Sequence, residues 1–313
     1  MDLSVIIINW NTRELTLDCI DSIYKTAEDV TFEVLVVDNG STDGSKEAIR
    51  ERFPEVRIIE NHRNLGFARA CNRGIDVAQG RYVLLLNSDT VLTPSALKAL
   101  VEYMDRHPEV AICGPQLLNP DGTLQNSIAN IPTLATELLN KSLLRRLFPR
   151  RYPGKEHRVE APMEVESIIG ACMMIRKSAL DEVGSLDEDY FFFLEETDLC
   201  LRMHRRGWKV VFNPQIKVYH LQGASAKKVN IRARLEYWRS RYIFFEKHRS
   251  PSERALLKAG LILRAMVNWA FYLLVNVATL FSSTKLRDKF KLYSTILSWH
   301  LKGCPAGWGL EGK

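Results

Sequence analysis

The chain has 313 residues, 46% hydrophobic and 26% charged, which excludes a disordered or low-complexity protein and allows a large buried core. Its six cysteines are scattered with no Cys-x-x-Cys pair, which argues against a zinc or dithiol redox motif and fits reduced, buried thiols in a cytosolic protein. The net charge of +6 is carried mostly after about Lys141, in "KSLLRRLFPRRYPGK" and "AKKVNIRARLEYWRSRY"; an anionic partner, nucleic acid or a membrane surface, is one reading and a solvated basic face the other.

Met1 and Asp2 lead directly into an apolar run, so no signal peptide is expected. "LSVIIIN" predicts a strand buried on both faces, "ELTLDCIDSIYK" a helix, "FEVLVVD" a strand and "GSKEAIRERF" a short helix. "VRIIE", "GFARACNRGIDVA", "RYVLLLN" and "PSALKALVEYMDR" continue the alternation, the last with Pro94 in its first turn. Alternation at this spacing predicts an α/β fold, a mainly parallel sheet flanked by helices. Ligands of such sheets bind beyond the carboxyl ends of the strands, which puts Asn9, Asp38, Glu60 to Asn64 and Asn87 to Asp89 on one rim.

After about Ala111 the pattern changes. "NPDGTL" reads as a hairpin turn, "VESIIGACMMIR" as a strand with a glycine break, and "ETDLCLRMHRRG" as a helix closed by Gly207. "KVVFNP" and "IKVYH" read as two further short strands, and 134–154 as either a basic amphipathic helix or a loop. "ARLEYWRSRYIFFEKH" predicts an aromatic, basic helix. "KAGLILRAMVNWAFYLLVNVATLF" is apolar over the roughly 20 residues a bilayer span requires, but Arg264, Asn268 and Asn276 interrupt it. An interfacial helix, a true span and a soluble core helix all fit.

On the rim, each polar residue has a plain role and a chemical one. Asp38 caps a turn or holds a nucleoside, with Asp43 and exposed backbone N–H groups beside it. Asn64 caps a helix or lines the same pocket, and Arg69 one turn on makes a surface ion pair or meets a diphosphate. "LLLNSDT" delivers Asn87, Ser88 and Asp89 at the tip of a buried strand, and a carboxylate there can take a hard divalent cation. His220 ends a predicted strand. Asp198 and Arg202, four apart, predict a surface pair, while Leu199 and Met203 face inward. Phe191 to Phe193 are sugar-facing or core.

"SVIIINWN", "VVDNGSTDGS", "NLGFARACNRGI", "LLLNSDT", "GACMMIR", "DEDYFFFLEETDLCLR" and "VYHLQGAS" resemble, in order, the motif series of family 2 glycosyltransferases, nearest to bacterial rhamnosyltransferase-like members acting on lipid-linked glycans. The resemblance covers about residues 3 to 226. It implies a GT-A (Rossmann-like) fold, a nucleotide-diphosphate sugar donor carrying dTDP, UDP or GDP, a Mg²⁺ or Mn²⁺ ion, and inversion at the anomeric carbon. By motif, Asp38 matches the nucleoside-contacting acid, with Asn9 lining that pocket; Asn64, Arg69, Asn87 and Ser88 complete the donor side. Asp89 matches the metal-binding aspartate and His220 the distal histidine of the metal site. Asn87 departs from the family's Asp-x-Asp. Glu196, or else Glu195, takes the place of the catalytic base, and Gly170, Ala171 and Asp187 form the acceptor side.

The implied organisation is a catalytic domain over 1–226, with a nucleotide-sugar half (1–110) and an acceptor half (111–226), followed by a helical, membrane-associating region over 227–313. The implied partners are the donor, a glycan or lipid-linked glycan, and the inner face of the cell membrane, with no nucleic acid. A nucleotide-sugar-binding protein without transferase activity is the alternative, prompted by Asn87 and by Glu in place of Asp.

Overall fold

The computed structural model of the protein describes residues 1–27, 29–148, 159–221 and 230–311. The basic stretches within 149–158 and 222–229, and the end of the His220 motif, lie outside the described residues. The chain divides into two compact units, one drawn from Met1–Ile131 and Phe148–Lys228, the other from Pro132–Leu147 and Val229–Lys313.

The first unit opens with the predicted alternation: β1 (Leu3–Asn9), α1 (Arg13–Thr26), β2 (Phe32–Asn39), α2 (Ser45–Arg52), β3 (Arg57–Asn61), α3 (Phe67–Ile75), β4 (Tyr82–Asn87), β5 (Thr90–Leu92) and α4 (Ala96–Arg106). It continues with β6 (Val110–Leu118) and β7 (Ile128–Ala129). In the second unit come α5 (Leu134–Leu138) and α6 (Lys141–Leu147). The first resumes with β8 (Met163–Glu164), β9 (Ser167–Ile168), β10 (Cys172–Arg176), α7 (Lys177–Val183), α8 (Glu195–Arg205) and β11 (Lys209–His220).

Among the described residues the main sheet runs β3-β2-β1-β4-β10-β6-β11-β5, with β8 beside β11. β1, β2, β3 and β4 pair in parallel, and β10 enters antiparallel to β4 and β6. Strand side chains alternate between two buried clusters. Val5, Ile7, Val36 and Leu84 pack with Leu17, Ile20, Leu97 and Leu100 of α1 and α4; Ile6, Leu35, Val83 and Leu85 pack with Ala70 and Cys71 of α3 and Leu199 and Met203 of α8. The layers are therefore helix, sheet, helix, and the apolar runs are continuous because both faces of each strand are covered.

Two local readings are corrected. "KVVFNP" and "IKVYH" form one strand, β11, whose register against β6 shifts between Asn213 and Lys217. Pro214, in this interval, has no N–H for the ladder, and Asn213 Oδ1 accepts from Gln215 N at 3.1 Å. Pro94 lies before α4 rather than in its first turn, because Ser95 adopts φ 59° ahead of Ala96. All six cysteines are free, and burial pushes the Cys19, Cys113 and Cys200 thiols up to about 12.

The second unit adds α9 (Asn230–His248), α10 (Pro251–Ala278) and α11 (Thr284–Leu301). Residues 132–147 fold with these helices rather than with the sheet. Glu137 of α5 pairs with Arg241 of α9 at 3.3 Å, both side chains buried, and Arg241 also lies over the Tyr237 and Trp238 rings. The basic helix α9 therefore turns Arg241, with Phe244 and Phe245, inward. α10 starts with a Ser250–Glu253 capping box and Pro251. Leu257, Leu261 and Ala265 of α10 are buried while Leu263, Val267, Phe271 and Leu274 are exposed, which removes the soluble core helix reading.

Candidate active site

Asp89 sits in the two-residue turn between β4 and β5, so the buried run "LLL" carries it straight to the sheet rim. β5 pairs antiparallel with the end of β11, placing His220 opposite Thr90. His220 Nε2 lies 3.3 Å from Asp89 Oδ1, with side chains 13% and 17% exposed. The orientation of the imidazole follows from Gln125. The Gln125 amide NH2 donates to the carbonyls of His220 (2.5 Å) and Leu118 (3.2 Å), which fixes which end of the amide is nitrogen. Its Oε1 therefore faces the ring and accepts from His220 Nδ1 at 3.0 Å. Nδ1 is thus the nitrogen that carries a proton to Gln125, and Nε2 is the nitrogen turned toward Asp89. A carboxylate oxygen beside an imidazole nitrogen whose other nitrogen is held by a buried amide fits a divalent cation. Among the described residues no group of three His, Cys, Asp or Glu side chains forms a closed metal cage, so water and diphosphate oxygens would supply the other positions.

The donor side is a buried polar hub. Asn9 pairs in register with Asp38 and has no exposed surface. Its amide donates to Asp38 Oδ1 (2.9 Å), Ser41 Oγ (3.0 Å) and Ser45 Oγ (2.7 Å), and its carbonyl accepts from Thr12 and Thr16. Asn9 thus holds Asp38 from beneath the rim rather than lining a pocket. Asp38 itself is 1% exposed and its Oδ2 accepts from Ser41 N at 3.0 Å. The turn amides expected to be open are engaged as well: Thr42 N donates to Asn11 Oδ1 and Ser45 N to Asp43 Oδ1. Asn64 Oδ1 accepts from Gly66 N (2.9 Å) and from Asn39 (2.8 Å), a buried amide that also binds Asn61 and Leu65 N. Arg69 makes a half-exposed ion pair with Glu188 at 3.4 Å. Glu60 pairs with Lys46 and Arg50. Ser88 Oγ lies 3.0 Å from Thr12 Oγ, which ties the Asp89 turn to the same hub.

The acceptor side is built on the glycine break. β9 stops at Ile168 and β10 begins at Cys172, and Asn87 N donates to the Ala171 carbonyl at 2.9 Å. Gly170 faces Glu196: a Cβ there would lie 3.5 Å from Glu196 Cβ and Cγ. One hydrogen bond and two residues thus connect the strand tip that carries Asp89 to the carboxylate of α8. The two glutamates separate by environment. Glu195 is 3% exposed, and its charge adds to burial in pushing the Cys71 thiol up. Glu196 is partly exposed; burial raises its carboxyl above the ordinary value, against hydrogen bonds with backbone at the start of α8.

The approach to α8 is strained. Phe193 and Leu194 adopt φ 76° and 70°, left-handed conformations that bulky side chains avoid. The segment is pinned to α3. Phe67 N donates to Phe191 O at 2.7 Å, and a Cβ on Gly66, at φ +88°, would lie 2.6 Å from that same oxygen. Asn72 donates to Leu186 O and accepts from Leu186 N, at 2.8 and 3.0 Å. Phe192 stacks edge-on against Phe67 and Phe193, while Phe191 is buried. Asp187 closes the local turn, its Oδ1 accepting from Asp189 N. Asp198 is not on the surface as expected: it is fully buried, 2.7 Å from Arg202, whose guanidinium also donates to the carbonyls of Val183, Gly184 and Ser185. Sequence reasoning missed Gln125, Asn39 and Asn72, each an amide whose partners lie far along the chain.

Residues 4–184 match the family described as glycosyl transferase family 2. The chain belongs to glycosyl transferase family 2. An N-acetylglucosaminyl-diphospho-decaprenol L-rhamnosyltransferase of Mycobacterium tuberculosis (strain ATCC 25618 / H37Rv) is 32% identical over 240 residues, covering 72% of this chain and 78% of that protein. A low-salt glycan biosynthesis hexosyltransferase of Haloferax volcanii is 28% identical over 221 residues, 66% of this chain and 62% of that one. Among solved structures, a mannosyltransferase of Pyrobaculum calidifontis in complex with GDP-Man and Mn²⁺ has a TM-score of 0.56 at 17% identity, covering 96% of this chain and 86% of that one. GalNAc-T7 with UDP, GalNAc and Mn²⁺ also reaches 0.56 at 17% identity, covering 72% of this chain and 44% of that one. This family 2 glycosyltransferase therefore has the GT-A fold that its motif series implied.

Proposed function

We propose that the chain is an inverting, metal-dependent glycosyltransferase that moves rhamnose from dTDP-rhamnose to a hydroxyl of a lipid-linked glycan, on the cytoplasmic face of the cell membrane, in cell-surface polysaccharide synthesis. The observation that carries the reading is the pairing of Asp89 with His220 Nε2 at the sheet rim, together with Glu196 set against Gly170 of the glycine break whose Ala171 carbonyl binds Asn87 N. The sugar and the lipid-linked acceptor are taken from the mycobacterial relative's name. The catalytic domain lies within 1–226, less residues 132–147, which fold with the C-terminal helices, and 227–313 associates with the membrane.

In this reading Asp38, fixed by Asn9 and Ser41 N, takes the nucleoside, and Asn64 and Ser88 flank it. Asp89 and His220 would hold a Mg²⁺ or Mn²⁺ ion, with Asn87 offering a neutral oxygen. Such an ion would supply positive charge where negative charge gathers on the departing diphosphate. Gly170 and Ala171 leave room for the acceptor against Glu196, which takes the proton of the attacking hydroxyl; its raised carboxyl makes it a stronger base than an exposed glutamate. Single in-line displacement gives inversion, since Glu195 faces the interior and leaves one open carboxylate on that helix end. A donor-binding protein without turnover is disfavoured, because that base stands where an acceptor would meet it.

Transfer assays with dTDP-, UDP- and GDP-sugars, with Mg²⁺ or Mn²⁺, test this. Glu196→Gln should cut transfer by about 10²- to 10⁴-fold while donor binding persists. Transfer by Glu196→Gln at the native rate would sink the assignment.

A further inference from the structure

The second unit carries an apolar face that no described residue covers. Along α10, Leu263, Met266, Val267, Phe271, Leu274 and Val277 are each more than half exposed. Their spacing of three and four residues lines them along one side of the helix, about 20 Å long at 1.5 Å per residue. Soluble monomers rarely expose a contiguous apolar strip of this kind without a partner.

The partner is read from the other side of the helix. α11 runs back along α10: Asn276 Nδ2 donates to Leu286 O, Tyr272 stacks on Tyr293 at 5.7 Å, and Trp269 donates to Ser294 Oγ. The first two contacts bracket residues 287–292, so Arg287, Asp288, Lys289 and Lys291 lie level with Tyr272 to Asn276. That level is inside the apolar stretch of α10, not beyond its end. A pose in which α10 crossed a bilayer would carry these charges into hydrocarbon, where ionised side chains are strongly disfavoured. Asn276 does not meet that medium, being fully buried against Tyr272 and Leu286 carbonyls inside the hairpin. Three of the four charges are basic, which matches an anionic headgroup layer.

We infer that the α10–α11 hairpin is an interfacial anchor: it lies in the plane of an anionic bilayer, with the outer face of α10 in the acyl boundary and the basic residues of α11 among the headgroups. The inference rests on the membrane-surface part of the function proposed above and decides between the interfacial and spanning forms. Label depth and vesicle binding are read without donor or acceptor, so their failure leaves the transfer chemistry standing.

Nitroxide labels placed singly at 263, 267, 271 and 274 of the full chain are read for depth on phosphatidylcholine vesicles with and without phosphatidylglycerol. The expected result is one shallow depth for all four, seen with the anionic lipid, and release of the chain by alkaline carbonate. Depth that passes through a maximum along the helix, or resistance to carbonate, overturns the in-plane pose. Val267→Glu with Leu274→Glu should weaken vesicle binding by about 100-fold, leaving the circular dichroism and transfer to a water-soluble acceptor unchanged. Undiminished binding by this variant overturns the inference. So does a native chain that is dimeric without lipid and becomes monomeric on this substitution, since the face would then belong to a second copy.

Discussion

Replacing Gln125 with methionine keeps the length of the side chain but removes the hydrogen bonds it donates to the carbonyls of His220 and Leu118 and the one it accepts from His220 Nδ1. The first two hold the end of β11, and at about 1 kcal/mol each their loss should lower stability by about 1–3 kcal/mol. The third fixes the proton on Nδ1. Without it, part of the population protonates Nε2, the nitrogen 3.3 Å from Asp89, and that fraction cannot take a cation. Loss of such an orienting partner lowers metal affinity by about 10- to 100-fold, roughly 1.4–2.7 kcal/mol. Electron paramagnetic resonance of free Mn²⁺, with and without a nucleoside diphosphate, reads the affinity, and long-range nitrogen–proton spectra of His220 read the tautomer. Gln125→Glu separates the two effects. It keeps an oxygen opposite Nδ1 but places a carboxylate against two carbonyls, so it should bind Mn²⁺ better than the methionine variant and be no more stable. A folded methionine variant with native Mn²⁺ affinity and the proton still on Nδ1 would refute the reasoning.

Glu196→Gln should gain stability relative to the native chain as pH rises. Burial raises the folded-state carboxyl, so its contribution is fully present below the ordinary glutamate value and is lost as pH rises through the raised one; thermal melts from acid to mildly alkaline pH check the sign, and a gain confined to acid would contradict it. The same shift moves the acid limb of the native transfer rate above the ordinary carboxylate range, which a pH–rate profile reads. Gly66→Ala puts a Cβ 2.6 Å from Phe191 O at φ +88°, and should cost about 1–3 kcal/mol in denaturant melts, with a larger loss in transfer than in donor binding. Gly170→Ala meets Glu196 at 3.5 Å, an ordinary contact, so it should stay within about 1 kcal/mol of native stability while raising the acceptor KM and leaving donor affinity alone.

The alternation of the first hundred residues was legible because both faces of each strand are covered and the apolar runs stand out. Asp89 was legible for the same reason: a charge that ends a run like "LLL" is conspicuous. Its partnership with His220 was legible only by family resemblance, since the two meet through the antiparallel pairing of a three-residue strand with β11, beyond the register shift at Pro214. Gln125 follows a hairpin turn and looks like an ordinary polar loop residue; only the Leu118–Leu124 bridge brings it under the imidazole. Asn9 was placed correctly on the strand end but at the wrong depth, because its partners, the hydroxyls of Thr12, Thr16, Ser41 and Ser45 and the carboxylate of Asp38, come from the start of α1, the end of β2 and the turn into α2. Glu196 and Glu195 were inseparable from spacing, and it is the glycine facing one and the thiol of Cys71 beneath the other that tell them apart.

The strain before α8 and the polar contacts on α3 belong to one device. Two successive left-handed side chains, Phe193 and Leu194, cost about 1–2 kcal/mol each, and such a conformation persists only where its surroundings hold it. Here the holding groups are Phe67 N–H, the bare face of Gly66 and the paired hydrogen bonds of Asn72, all on or at the start of α3. The same helix start is fixed by Asn64 and Asn39 on the donor side. The residue proposed to deprotonate the acceptor is therefore positioned by the element that borders the proposed donor pocket. The Asn64–Phe67 turn is thus hydrogen-bonded on one side to the Asn39 amide and on the other to the strained segment that leads into Glu196.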